Sequence, residues 1–208
     1  MYIVKYSGPF GFIKPWTAVR DSETFSQQFL TPSIVEGIEK KLFPELLGEK
    51  GIKKIIRHRL TYAGLSQQQE KTQSRGIQQK PQKITKATKM IELTRPESII
   101  IRYVMINPVL YLGFKEKTDA ERAAEQHICL CRNEDILLPI INDESDNLIT
   151  EISEEEFDKH DGDYTGFELL FGNSDSSFLV GSNRFDDNAY MFGKLLIVGN
   201  NPLISNNF

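Results

Sequence analysis

Residues 56–90 read IRHRLTYAGLSQQQEKTQSRGIQQKPQKITKATKM, and from Leu65 to Ile84 this stretch offers almost nothing apolar to bury. A segment of that composition cannot build a core of its own. Any fold the chain adopts must therefore carry the middle of the stretch as a flexible arm outside the packed body, while residues 55–60 and the chain from Ile91 onward return to the core. Arg57, Arg59, Lys71, Arg75, Lys80, Lys83, Lys86 and Lys89 stand against a single acid, Glu70. Gln67, Gln68, Gln69, Gln73, Gln78, Gln79 and Gln82 fill the gaps between these cations. Such an arm suits a polyanion, because Lys and Arg neutralise phosphates with release of counterions and glutamine amides can bond base edges or sugar hydroxyls. The competing reading is a solvated loop with no ligand, since most charge runs are surface.

The net charge of −4 conceals a division along the 208 residues. Residues 49–102 hold 13 Lys and Arg against 4 Asp and Glu, whereas residues 115–170 hold 5 against 17. The basic part can meet nucleic acid, and the acidic part is repelled by phosphates and is left to solvent or to a basic neighbour. The length suits a single domain, 1–208, with insertions at 63–90 (basic) and 143–163 (acidic).

Cys129 and Cys131 lie in the run HICLCR one residue apart, on one face of an expected strand, which reads as buried packing. Their spacing is not that of a redox or zinc motif, and His127 has no second cluster to complete a metal site, so no metal or cofactor is expected. Oxygen-rich Asp158, Asp161 and Asp163 lack the calcium-loop spacing and its closing Glu. A phosphate-binding glycine loop, His-Glu-x-x-His and Gly-x-Ser-x-Gly do not occur. Met1 leads straight into an alternating strand, and no run approaches the length that spans a bilayer, so the expectation is a cytoplasmic protein with no membrane partner.

Taken in order, residues 2–6 alternate as a strand. The loop SGPFGFIKPW presents Phe10, Phe12 and Trp16, for stacking or for the core. Residues 24–29 extend into the helix TPSIVEGIEKKLF, where Pro32 suits the first turn, Thr31 or Ser33 can cap, and Ser33 with Glu36 has capping-box spacing. Its apolar face is Ile34, Val35, Ile38 and Leu42, with Glu36, Glu39, Lys40 and Lys41 outward. Residues 53–60 read as a strand with Ile55 and Ile56 inward. Residues 98–106 form the most apolar strand, expected at the centre of a sheet, with 109–114 as its hairpin partner across Asn107 and Pro108. A short helix over 118–126, strands over 127–131 and 136–141, an acidic segment and three apolar C-terminal pieces complete an α+β pattern compatible with ferredoxin-like units.

The opening strand, the loop SGPFGFIKPW and the helix with Thr31, Pro32, Ser33 and Gly37 resemble the start of the fifth family of CRISPR-associated proteins, in the RAMP superfamily. KITKATKMIELTRPESIIIRYVM is similar to the strand that returns from that family's thumb, and SFLVGSNRF to its Leu-Gly-x-Arg signature, with Gly181 and Arg184 at matching places. The usual Tyr-Leu-Gly-x-Arg-Glu-Phe run appears only as Phe-Leu-Val-Gly-Ser-Asn-Arg-Phe, and residues 115–170 match thinly.

The resemblance implies a ferredoxin-like, RNA-recognition-motif-like palm with a protruding basic thumb and additional C-terminal strands. It also implies a non-catalytic subunit that caps the 5′ handle of a crRNA within a Cascade-like complex for antiviral defence. Implied partners are the crRNA, the backbone and large subunits, and target DNA. On this reading the RNA-binding residues are Lys14, Arg20, Arg57, Arg59, Lys71, Arg75, Lys80, Lys83, Lys86, Lys89 and Arg184. One subtype of the family cleaves precursor crRNA, so the alternative is a metal-independent endoribonuclease with His58 as general base beside Tyr62.

Overall fold

The computed structural model describes residues 1–16, 22–73, 76, 78–83, 89–95, 97–132, 134–141 and 147–199. The chain opens with β1 (Tyr2–Ser7), β2 (Phe10–Gly11) and β3 (Glu23–Phe25), followed by α1 (Pro32–Leu42) and a 3-10 turn (Pro44–Gly48). Next come β4 (Ile55–Thr61), β5 (Gly64–Gln73), β6 (Gln78–Lys83), β7 (Lys89–Thr94), β8 (Glu97–Ile106) and β9 (Val109–Phe114). After α2 (Lys117–Ala124) follow β10 (Ile128–Cys129), β11 (Ile136–Pro139), β12 (Ile149–Glu151) and α3 (Glu154–Phe157). The chain closes on β13 (Gly166–Phe171), β14 (Phe178–Asn183) and β15 (Ala189–Val198). The architecture is α+β and dominated by antiparallel sheet.

The main sheet runs β10-β11-β1-β9-β4-β13-β15-β14, and β12 shares with β11 the edge of β1 opposite β9. Alternation along β1 divides its side chains between the two faces. Val4 and Tyr6 enter the main core with Leu60, Leu110, Leu112 and Phe114, covered by Val35, Ile38 and Leu42 of α1 and Ala120 and Ala123 of α2. The Tyr6 hydroxyl donates to the Ala123 carbonyl at 2.7 Å, tying α2 to the sheet. Ile3 points the other way and packs with Tyr111, Ile152, Phe157 and Tyr164.

Most of α1 lies where its apolar spacing predicts, but its polar face is not outward: Glu36, Glu39 and Lys40 are buried. The Glu39 carboxylate accepts from the backbone N–H groups of Lys53, Lys54 and Ile55 at 2.5–3.1 Å, donors that entry into β4 would otherwise leave unpaired. The capping box does not form. Thr31 is the N-cap without a side-chain bond, and Glu36 instead accepts from Lys40, the Gly51 N–H and the Asn183 amide.

Three strand expectations are corrected. β8 does not pair with β9: it pairs with β5 along its whole length, and with β2 and β3 on its other edge, while β9 joins β1 and β4. The turn at Asn107, with φ 47°, thus passes the chain from one sheet to another. A register shift between Ile55 and Arg57 buries Ile55 and exposes Ile56. Cys129 and Cys131 are exposed, because β10 is a two-residue edge strand and Cys131 lies beyond it.

Part of the acidic segment is built into the body through β12, Ile152 and Phe157, rather than forming a solvated loop. Among the described residues no helix is long and apolar enough to cross a membrane.

Candidate nucleic-acid interface

The basic insertion is a ribbon of strands between β4 and β9, not an irregular loop. β5 and β8 pair from Gly64 opposite Ile106 to Gln73 opposite Glu97, and β6 and β7 pair from Gln78 opposite Thr94 to Lys83 opposite Lys89. The cross-strand ladder meets the inward-turned backbone donors and acceptors of each strand and leaves the outward-turned ones to solvent, which is how a segment without apolar side chains stays extended. Burial falls along β8 from Val104 and Met105 to Glu97, Ser98 and Ile99, so its outer end leaves the core.

Of the expected site residues, Lys14 is exposed in the loop after β2, and Lys71 is exposed on β5, 2.6 Å from Glu97. Lys80 and Lys83 belong to β6 and Lys89 to β7, where the backbone alone is described. Arg20, Arg75 and Lys86 lie outside the described residues.

Arg57 and Arg59 occupy a different setting from the one their place in a basic run suggests. The Arg59 guanidinium is 0% exposed and donates to the Phe157 and Tyr164 carbonyls, Asp158 and Glu168. Arg57 donates to the same two carboxylates at 2.6–3.1 Å. Both guanidinium groups lie over the Phe157 ring, Arg59 at 3.9 Å from its centroid. Burial pushes the Glu168 carboxyl up, and the Arg57 hydrogen bonds and surrounding positive charge more than offset it, holding it below the usual carboxylate range. These two arginines therefore bind the chain's own acids and fasten residues 153–165 to the sheet.

His58 is corrected as well. It is 5% exposed, its ring stacks on Phe171 at 4.7 Å, and Nε2 has no hydrogen-bond partner among the described residues. Burial, with the nearby arginines, holds its pKa down at about 4. Tyr62 is buried too, its hydroxyl without a partner among the described residues and pushed up to about 12 by burial. A general base must reach the proton it removes, and both groups are buried.

The segments that carry the family resemblance converge in space. Gly181, at φ 131°, lies against Trp16: a Cβ there would stand 3.1 Å from the indole Cγ. Gly37 leaves room for Arg184, whose Nη2 is 3.3 Å from where a Cβ would be, and for the Phe185 ring on which Arg184 rests. Arg184 is exposed and lines an open groove of about 400 Å³ with Ser33, Lys41, Cys129 and Cys131. Among the described residues no group of three His, Cys, Asp or Glu side chains is arranged to hold a metal ion.

One feature of the ribbon's base was not legible as a site. Phe25 and Tyr103 stack at 4.0 Å with their planes 5° apart. The only sequence signal was alternation within IIIRYVM, which does not reveal that β3 lies beside it.

Among solved structures, the chain is similar over 95% of its length to a chain of the type III-B Cmr-beta complex bound to cognate target RNA and AMPPnP, with 84% of that chain covered, TM-score 0.48 and 7% identity. It is also similar over 95% of its length to a chain of a CRISPR RNA-guided surveillance complex, with 89% covered, TM-score 0.47 and 12% identity. No protein-family model and no curated protein matches the sequence.

Proposed function

We propose that this chain is a non-catalytic RNA-binding subunit of a multisubunit CRISPR effector complex, holding the 5′ handle of a crRNA with its basic ribbon as the thumb. The observation that carries the reading is where the ribbon is inserted. The strands β11-β1-β9-β4 are antiparallel neighbours, with α1 between β1 and β4 and α2 between β9 and β11. That order supports the reading of a ferredoxin-like, RNA-recognition-motif-like palm, in which the ribbon strands β5 to β8 would be the insertion between the second and third strands. The convergence of Trp16, Gly37, Gly181 and Arg184 supports the same reading, since it gives the resembling segments one structural purpose.

The phosphates fall to Lys14, Arg20, Lys71, Arg75, Lys80, Lys83, Lys86, Lys89 and Arg184, and no cofactor is invoked. The remaining acidic surface of residues 115–170 serves contacts with backbone and large subunits in the cytoplasm and keeps RNA, and any target DNA, on the opposite side. Recovery of the protein from its native host, with sequencing of the RNA that accompanies it, tests this. Short RNAs sharing one repeat-derived 5′ end are expected. RNA without a common 5′ end, or none, would contradict it.

A further inference from the structure

At the base of the ribbon the strand pairing lines up side chains of two kinds. Phe25, Tyr103 and Gln67 stand in one cross-strand row, and Glu23, Ile101 and Gln69 in the next. Paired residues of adjacent strands share a face, so the stacked Phe25–Tyr103 rings and the two glutamines share one surface. Phe25 is 53% exposed on β3, which has a partner strand on one side. Gln67 and Gln69 are exposed, and no group among the described residues bonds their side-chain amides. Beyond them the face continues into an open groove of about 520 Å³ lined by Gln69, Lys71, Glu97 and Ile99.

We propose that this face is a base-stacking site for single-stranded RNA, in which an unstacked base lies on the outer face of Phe25, backed by Tyr103, and the Gln67 and Gln69 amides bond the edge of a neighbouring base. The inference rests on the RNA-binding reading above and adds to it where a base, as opposed to a phosphate, is held. The charges of the face favour that division. Glu23 bonds the Tyr103 hydroxyl, and Glu97 pairs with Lys71, so among the described residues the face carries these two carboxylates and one ammonium. Beside the aromatic pair the charged group is Glu23, which disfavours a phosphate there and leaves the place to a neutral base, whose ring face is served by an aromatic and whose edge is served by amides. The phosphates on either side then run onto the lysines of the outer ribbon. A protein partner would find the same apolar rings, and the experiment separates the two.

The full chain, wild type and Phe25→Ala, is titrated with a short single-stranded RNA and with the same ribose-phosphate strand lacking bases. Phe25→Ala should weaken RNA binding about five-fold or more, the loss typical of one stacked base, and leave the base-free strand unaffected. Phe25→Trp should restore RNA affinity, which separates stacking from any effect on folding. Wild-type RNA affinity in Phe25→Ala would overturn the stacking site while leaving the RNA-binding reading standing, and so would equal weakening toward both strands. Failure of the wild type to bind either strand would overturn both.

Discussion

At the scale of single residues, His58 shows how far local sequence can mislead. Flanked by two arginines in a basic run, it has the composition of a site that handles phosphates. What decides its role is Phe171 and Glu168, more than a hundred positions away, because β4 pairs with β13. A buried imidazole held neutral has a consequence for stability. Above its ordinary value of 6.5 neither folded nor unfolded chain protonates it; between 6.5 and about 4 the unfolded chain takes a proton that the folded chain refuses. Stability should therefore fall as pH falls through that window, by up to about 3 kcal/mol. His58→Leu should show a smaller difference between melting temperatures at the two ends of this range than the wild type does. Identical pH dependence in the two proteins would show that His58 is not the group responsible. The setting of the two arginines is hidden from the sequence for the same reason, since the acids they hold, Asp158 and Glu168, lie about a hundred positions away.

At the scale of elements, the chain was most legible where one period governs a whole segment. The alternation of β1 and the apolar face of α1 were both visible, and so were the three C-terminal strands. Partners were less legible. β8 follows into β9 through an Asn-Pro turn that has the composition of a hairpin, yet β8 binds β5 across the whole insertion because the ribbon offers it a ten-residue ladder. The burial of Glu39 is likewise not legible in the sequence, because helical spacing cannot report three backbone donors arriving from residues 53–55. The ribbon's register supplies a test of its independence from the body. Gln73 and Glu97 face one another, so deleting residues 74–96 and joining these two by Asn-Gly places a type I′ turn where the paired strands can accept it. The shortened protein should unfold cooperatively within about 2–4 °C of the wild type, the shift that about 1 kcal/mol produces in a domain this size. Loss of the cooperative transition would mean that the outer strands support the core.

At the scale of the molecule, the division of charge along the sequence is only partly a division in space. Asp158 and Glu168 neutralise Arg57 and Arg59, and Asp119 pairs with Lys54, so part of the apparent asymmetry is cancelled within the body. The lysines of the insertion lie apart from these pairs in sequence, and on them the account depends. Replacing Lys80, Lys83, Lys86 and Lys89 together with alanine, and titrating a single-stranded RNA at several salt concentrations, measures that dependence. Each lost phosphate contact lowers the slope of log affinity against log salt by about 0.7, so the slope should become shallower by up to about 2.8, with weaker binding at physiological salt. A slope and affinity equal to those of the wild type would contradict the claim that the ribbon holds RNA.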